Sequence, residues 1–222
     1  MDTPELFDGV RENVVLLHGL TRSSDSMRGL ETFLEKCGYR VHNLDYPSTK
    51  FSIEELVAML RPKIEEIASR SSRIHFVTHS MGGILIRFLL KEYPISNLGR
   101  VVMLSPPNNG SEVVDKLGHW KAFRKLNGPA GQQLGTDSDS LPCKLGAVEF
   151  ELGIITGDRS INWLLSLLIQ GPNDGKVSIE SAKVEGMKAF AVVHATHPYI
   201  MKKDVVFRKV QRFLQQGDFE IK

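Results

Sequence analysis

The chain has 222 residues, of which 41% are hydrophobic and 24% charged, ordinary values for a single globular domain. Its 28 basic and 26 acidic residues leave a formal net charge of +2, so the charge balance does not favour nucleic acid or an anionic membrane as the main partner. The two cysteines, Cys37 and Cys143, match no metal or redox spacing, and we predict free thiols in a reducing compartment.

Short apolar runs mark the predicted strands. Runs that are apolar at almost every position, rather than at alternate ones, are typical of strands buried on both faces of a parallel sheet. Four such runs and two weaker candidates are found. In chain order they are Val14–Leu17, Arg40–Leu44, Ile74–Val77, Val101–Leu104, Gly153–Thr156 and Ala189–Val193.

Helical patterns lie between these strands. Ser52 and Glu55 form a potential capping box before one apolar stripe, and Pro62 inside that stripe predicts a kink or an earlier stop. The alternation of strands and helices predicts an α/β fold with helices on both faces of a mostly parallel sheet. The stripes are Met27, Leu30, Phe33 and Leu34; Ile53, Leu56, Val57, Leu60, Ile64 and Ile67; Met81, Ile84, Leu85, Phe88 and Leu89; and Val205, Val206, Val210, Phe213 and Leu214.

One stretch breaks the alternation of strands and helices. From Pro106 to about Cys143 the sequence is rich in Gly, Pro, Asn, Ser and Asp, with a few aromatic residues. We expect it to form a cap-like excursion above the sheet, at about residues 106–150, with short helices. The whole chain, residues 1–222, is predicted to be one domain.

A candidate nucleophile follows the third predicted strand. Ile74–Val77, a short turn and the Met81–Leu89 stripe give the strand–turn–helix context that the motif G-x-S-x-G requires, with Ser80 at its centre. The flanking positions must be small because the turn brings backbones close together. Gly82 fits this requirement, whereas Thr78 is larger than the usual glycine. The alternative, in which Ser80 only caps a helix, lacks a reason for this context.

A second motif follows the first predicted strand. Val14–Leu17 is followed by His18-Gly19-Leu20, and a buried strand that ends in His-Gly is typical of an oxyanion-hole loop. The backbone N–H groups of Leu20 and Met81 would then bind the oxyanion of a tetrahedral intermediate. In the alternative interpretation Gly19 is an ordinary turn residue and His18 a structural one.

A reactive serine needs a base, and the base needs an orienting carboxylate. His194 ends the last predicted strand, whereas His197 lies on the following loop, from which it could reach Ser80; we favour His197. The acid is Asp174 or Asp158, each of which could instead be a turn or cap residue. No pair of histidines has zinc-site spacing, so no metal is predicted.

These motifs together resemble the α/β-hydrolase superfamily, and within it small bacterial lipase- and esterase-like members similar to triacylglycerol lipases and GPI-inositol deacylases. The resemblance implies the α/β-hydrolase fold, and it favours Asp174 as the acid because Asp-Gly-x-Val resembles the acid loop of many lipases. Thr78 departs from the commonest pattern. The resemblance covers nearly the whole chain and is carried by His18-Gly19-Leu20, by residues 78–83 and 105–111, by Asp174-Gly175 and by residues 197–201.

The resemblance implies hydrolysis of a carboxylic ester by Ser80, His197 and Asp174, without a cofactor. Thioester or amide hydrolysis, acyl transfer, and a non-catalytic binding protein remain open alternatives. We expect a small acyl ester or lipid-like substrate, no nucleic acid, and no membrane-spanning segment. The acidic N-terminus lacks the features of a secretory signal, which predicts a cytoplasmic location. Candidate pocket residues, for any one of which a structural role such as core packing is the commoner one, are His18, Leu20, Trp120, Phe123, Trp163 and Leu167.

Overall fold

Six parallel strands form a single sheet in the computed structural model, which describes residues 12–161 and 166–220. The strand order is β2-β1-β3-β4-β5-β6, so the chain starts near one edge, moves outward once and then crosses to the other edge. Each predicted strand is present, and the predicted α/β class is confirmed. The strands are β1 (Asn13–Leu17), β2 (Arg40–Leu44), β3 (Ile74–His79), β4 (Leu98–Leu104), β5 (Leu152–Arg159) and β6 (Ala189–Thr196).

Helices cover both faces of the sheet, as the strand sequences require. Val14 and Leu16 of β1 belong to one buried apolar cluster, and Val15 and Leu17 belong to the other, because successive side chains of a strand point to opposite faces. A strand that is buried on both faces therefore has to be apolar at every position. This explains why continuous apolar runs, rather than alternating ones, located the sheet.

Four long helices supply the other half of these two clusters. Helix α1 (Arg28–Lys36) and the last helix, α8 (Asp204–Gln216), pack on one face; α2 (Ile53–Ser69) and α3 (Met81–Glu92) pack on the other. The capping box at Ser52 and Glu55 is confirmed, with both reciprocal hydrogen bonds formed. Among the helices that the structure describes, none is both long and apolar enough to cross a membrane.

Of the two outcomes predicted at Pro62, a kink or an earlier stop, the earlier stop is wrong. Helix α2 continues to Ser69 with Pro62 inside it. Proline removes the N–H that would bond to the carbonyl of Ala58, but Ala58 and Pro62 are both exposed, so water can satisfy that carbonyl. The buried face of the helix, from Ile53 to Ile67, keeps its contacts with the sheet.

The segment between β4 and β5 rises above the carboxyl end of the sheet. We call residues 106–150 the cap. It contains α4 (Glu112–Leu117), α5 (Lys121–Gln132) and α6 (Leu141–Leu145), and a short helix α7 (Ile179–Ala182) follows β5. Gly128 interrupts α5 with a positive φ of 65°, immediately before Pro129. The expectation of short helices in this excursion is confirmed.

Candidate active site

Ser80 occupies a strained turn between β3 and α3. Its φ and ψ are 53° and −123°, a region that a residue with a Cβ seldom adopts. The neighbouring strand fixes this conformation, because the Ser80 N–H donates a hydrogen bond to the Leu104 carbonyl at 2.8 Å. The serine therefore projects from the carboxyl end of the sheet at the first turn of a helix.

Two glycines let other backbones approach this turn. A Cβ at Gly82 would lie 2.7 Å from the Leu17 carbonyl oxygen, so α3 begins in contact with the end of β1. A Cβ at Gly19 would lie 2.7 Å from Nδ1 of His79 and 3.1 Å from Cβ of Ser80. Glycine is therefore required at both positions, and the loop after β1 packs directly against the serine turn.

That loop offers backbone donors beside Ser80. The Tyr46 hydroxyl donates to the His18 carbonyl, and the Thr21 N–H donates to Oγ of Ser48 at 3.1 Å, so both ends of the loop are held. Within the described part of the chain, the N–H groups of Leu20 and Met81 have no hydrogen-bond partner. Unpaired donors on two loops that meet at a serine can receive a negative oxygen there.

Ser80, His197 and Asp174 form a hydrogen-bonded chain. Nε2 of His197 lies 3.0 Å from Oγ of Ser80, and Nδ1 of His197 lies 2.8 Å from Oδ2 of Asp174. A ring nitrogen that faces a carboxylate carries the proton, so the lone pair of Nε2 faces the serine hydroxyl. The three residues sit on loops that follow β3, β5 and β6.

The carboxylate of Asp174 is buried and fully engaged. Its Oδ1 accepts hydrogen bonds from the N–H groups of Lys176 and Val177, at 3.0 and 2.9 Å. Burial opposes ionisation, but the charge of His197 and the hydrogen bonds outweigh it, and the pKa of Asp174 lies below its ordinary value. The group is therefore ionised at neutral pH and can stabilise a positive imidazole.

The alternative acid and base, Asp158 and His194, pair with each other instead. Nδ1 of His194 lies 2.8 Å from Oδ2 of Asp158, and the His194 side chain is 78% exposed. Neither residue lines the cavity that contains Ser80. His194 is three positions before His197, and Asp158 lies at the end of β5, the strand that precedes Asp174, so the sequence alone did not decide between the two pairs.

His79 is a site residue that the sequence analysis did not single out. It is buried beside His197, and its Nε2–H donates to the His197 carbonyl at 3.0 Å. Burial above all, and then the charges of His197, Lys176 and Arg22, hold the pKa of His79 well below its ordinary value. A neutral His79 therefore connects the loop of His197 to the serine turn. In the sequence, the one feature that could have indicated this role is the position of His79 next to Ser80.

A cavity of about 310 Å³ opens at Ser80 and His197. Phe123 and Leu20, two of the candidate pocket residues, line it. His18 does not: it is fully buried and stacks on Tyr46 with ring centroids 4.0 Å apart, so that pocket prediction is wrong. The remaining apolar lining comes mainly from the cap and comprises Pro107, Val113, Val114, Leu117, Leu126, Leu134, Val177 and Pro198.

Two further pocket predictions are also wrong. Trp120 and Leu167 are 57% and 72% exposed and do not line the cavity among the residues described. Trp120 immediately precedes α5, and its ring makes an edge-on contact with His119, with ring centroids 6.0 Å apart. Trp163 lies outside the described residues.

Comparisons with known proteins agree with this architecture. The mature form of a Bacillus licheniformis lipase, BlEst2, superposes with a TM-score of 0.74 at 20% identity, covering 96% of each chain. The phospholipase PlaB from Legionella pneumophila gives 0.69 at 15% identity, covering 94% of this chain and 60% of that one. A metagenomic carboxyl esterase, MGS0156, gives 0.69 at 17% identity, covering 86% and 66% respectively.

At these identities the likeness concerns the fold. No curated protein matches the sequence. A family model for the α/β hydrolase fold matches residues 12–127, which is just over half of the chain and includes the serine turn and the loop after β1. The resemblance inferred from the motifs is thereby confirmed, and the chain belongs to the α/β-hydrolase fold family.

Proposed function

We propose that the protein is a serine hydrolase that cleaves carboxylic esters, with Ser80 as nucleophile, His197 as base and Asp174 as its orienting acid. The observation that carries this proposal is the hydrogen-bonded chain from Asp174 through His197 to Ser80 at the mouth of an apolar cavity. A serine that only capped a helix would need neither partner.

The proposed reaction has two steps. Ser80 Oγ attacks the acyl carbon while Nε2 of His197 accepts its proton, and the imidazolium then protonates the leaving alcohol. In the second step Nε2 of His197 accepts a proton from water as the water attacks the acyl carbon of the acyl-enzyme. The imidazolium then gives that proton to Ser80 Oγ as the carboxylic acid leaves. Asp174 keeps the imidazole in the tautomer that both steps need and stabilises its positive charge.

The proposed oxyanion hole consists of the N–H groups of Leu20 and Met81. Both donors lack protein partners in the described structure, and the second begins α3, where the helix dipole also favours negative charge. Since the loops are tethered before substrate arrives, the donors need little rearrangement as charge develops on the carbonyl oxygen.

The cavity favours short or medium acyl chains. Its volume of about 310 Å³ is at the lower end of the range for small-molecule sites, roughly 300–1,000 Å³. Its walls are largely apolar, which suits a hydrocarbon chain and offers little to a polar acyl group. Activity should therefore peak at intermediate chain length rather than rise to the longest chains.

A chain-length series tests this function. We expect hydrolysis of p-nitrophenyl esters from acetate to palmitate, with kcat/KM highest for short or medium chains. Ser80→Ala should lower it by at least about a thousandfold, as expected for loss of a nucleophile. Ser111→Ala is the matched control, since Ser111 lines the same cavity and, among the residues described, its hydroxyl bonds to the Lys176 carbonyl alone and not to Ser80 or His197. Activity that survives in Ser80→Ala contradicts the mechanism.

A further inference from the structure

Two cations lie at the rim of the cavity. Arg22, on the loop after β1, and Lys176, on the loop of Asp174, line the cavity together with Ser80 and His197. Both are exposed, so they mark the solvent side of the site. Among the described residues that line the cavity, none is Asp or Glu.

Neither of these two cations forms an ion pair with any acidic residue that the structure describes. In the described part of the chain, no carboxylate oxygen lies within 4 Å of either side chain. Lys176 is exposed at the surface, yet the surrounding protein partly desolvates its ammonium group; that desolvation first, and then the charge of Arg22, lowers the pKa of Lys176, and the attraction of Asp174 only partly compensates. Asp174 is already engaged by His197 and two backbone N–H groups. The rim is therefore electropositive, and its two cations are available to bind an anionic ligand.

The adjoining part of the cap adds charge of the same sign. Residues 112–126, which include Val113, Leu117 and Leu126 of the cavity lining, contain four Lys or Arg and two acids, Glu112 and Asp115, a net charge of +2. The whole chain has a net charge of only +2, so this is a local concentration. Cations around a low-dielectric cleft raise the local concentration of anionic ligands.

We propose that the substrate is an acyl ester whose alcohol part carries an anion, a phosphate or a carboxylate, bound by Arg22 and Lys176. This inference rests on the proposed ester hydrolysis. The apolar wall contributed by the cap suits the acyl chain. The alcohol must leave towards solvent, and the exposed rim is where it would pass. Guanidinium and ammonium groups form charge-assisted hydrogen bonds with either anion.

A matched pair of esters tests the charge preference. Monohexanoylglycerol and its phosphate share the acyl chain and scissile bond, and both are used as dissolved monomers. We expect kcat/KM to be about tenfold or more higher for the phosphate, and added salt to reduce that ratio. Hexanoyl glycolate, compared with hydroxyethyl hexanoate, gives the same ratio for a carboxylate. The larger ratio identifies which anion the rim prefers.

Substitutions assign the preference to the two cations. Arg22→Gln and Lys176→Gln should each reduce the anionic-to-neutral ratio, and the double variant should bring it close to one. Arg22→Lys and Lys176→Arg should retain most of it, because the charge remains. Lys36→Gln is the control: Lys36 is an exposed cation in α1, away from the cavity, and the ratio should not change. A ratio near one in the wild type, or a ratio that survives in the double variant, overturns the inference.

A binding measurement separates this inference from ester hydrolysis itself. Calorimetric titration of Ser80→Ala with hexyl phosphate and with hexanol should show clearly tighter binding of the phosphate, lost when Arg22→Gln and Lys176→Gln are added. Equal binding of the two ligands, with neutral esters still hydrolysed through Ser80, contradicts the anionic substrate and leaves the esterase. Tight phosphate binding without hydrolysis of any ester contradicts the esterase and leaves the anion site.

Discussion

The strand-end loops that carry the proposed catalytic groups and the cap that shapes the cavity are held in different ways. Ser80, Asp174 and His197 follow strands of one sheet, and hydrogen bonds between neighbouring loops fix them, such as the His197 N–H to the Asp174 carbonyl at 3.0 Å. Their positions follow from the order of the strands and the strained turn after β3.

The cap depends instead on contacts with distant parts of the chain. Arg87, from α3, is buried beneath it and donates hydrogen bonds to the carbonyls of Asn108, Pro142 and Gly146, at 2.9, 3.2 and 2.6 Å. Burial lowers the pKa of Arg87 to about 10, so it stays charged at neutral pH. One guanidinium therefore joins both ends of the cap to the body.

A close backbone approach supports the other side of the cap. At Gly128, a Cβ would lie 1.8 Å from the Thr49 carbonyl oxygen, and the Ala130 N–H donates to the Phe51 carbonyl at 3.1 Å.

Because the strand-end loops and the cap are held by different contacts, changes in the strand-end loops should affect the chemical step, whereas changes beneath the cap should affect stability. Four predictions test this division.

The largest effect on kcat/KM is expected for substitution of Asp174, the proposed acid. Asp174→Asn should lower kcat/KM by about 10³–10⁴-fold, because a neutral amide neither stabilises the imidazolium nor enforces the tautomer. Asp158→Asn is the matched control, since Asp158 contacts the exposed His194, and it should change kcat/KM by less than about threefold. Steady-state kinetics with a p-nitrophenyl ester measures both. A larger loss of kcat/KM in Asp158→Asn than in Asp174→Asn would contradict the assignment of Asp174 as the acid.

The second prediction concerns the cation beneath the cap. Arg87→Met should lower the free energy of unfolding by about 3 kcal/mol, because several buried carbonyls lose their donor. Arg28→Met is the control, as Arg28 forms an exposed ion pair with Asp25, and it should change stability by no more than about 0.5 kcal/mol. Urea unfolding measures both. Equal midpoints for Arg87→Met and wild type would contradict this role of Arg87.

A smaller effect is expected at the contact between the cap and the body. Gly128 and Gly38 both have positive φ, 65° and 94°, but no atom lies within 4 Å of a Cβ at Gly38. Gly38→Ala should therefore cost about 1 kcal/mol of backbone strain, and Gly128→Ala at least about 2 kcal/mol. Similar losses in the two variants would show that the close approach to Thr49 contributes nothing.

The smallest effect is a dependence of stability on pH. Because the pKa of Asp174 is lowered in the folded protein, its contribution to stability is present above its ordinary pKa of 3.8 and is lost as the pH falls through the folded value. The difference in unfolding free energy between wild type and Asp174→Asn should shrink below pH 3.8. Urea titrations at pH 6 and at lower pH measure it, and a difference that grows on acidification contradicts the lowered pKa.

The sheet and the serine turn could be predicted because their signals are local. A strand buried on both faces must be apolar throughout, and a tight turn needs Gly82 within two residues of Ser80. The pocket could not be predicted in the same way. Phe123 lines the cavity, whereas Trp120, at the start of the same helix, does not; α5 meets Thr49 at Gly128, a contact between segments far apart in sequence that no local pattern reports.

Contacts between distant residues explain the other differences. His79 acts on the carbonyl of His197, 118 positions away, and no local pattern reports that contact. His18 had the right position for a pocket residue, but Tyr46 covers it and bonds to its carbonyl. The loop motif around Asp174 favours this residue as the acid. Its hydrogen bond to His197, however, depends on how two strand-end loops meet, which the motif does not report.

Covalent labelling tests the central claim most directly. A fluorophosphonate reacts with a serine whose hydroxyl is activated by a neighbouring base, and peptide mass spectrometry locates the adduct. We predict a single adduct, on Ser80, that forms far more slowly in His197→Gln and in Asp174→Asn and at the wild-type rate in His194→Gln. An unlabelled protein, or an adduct on another serine, would contradict the account.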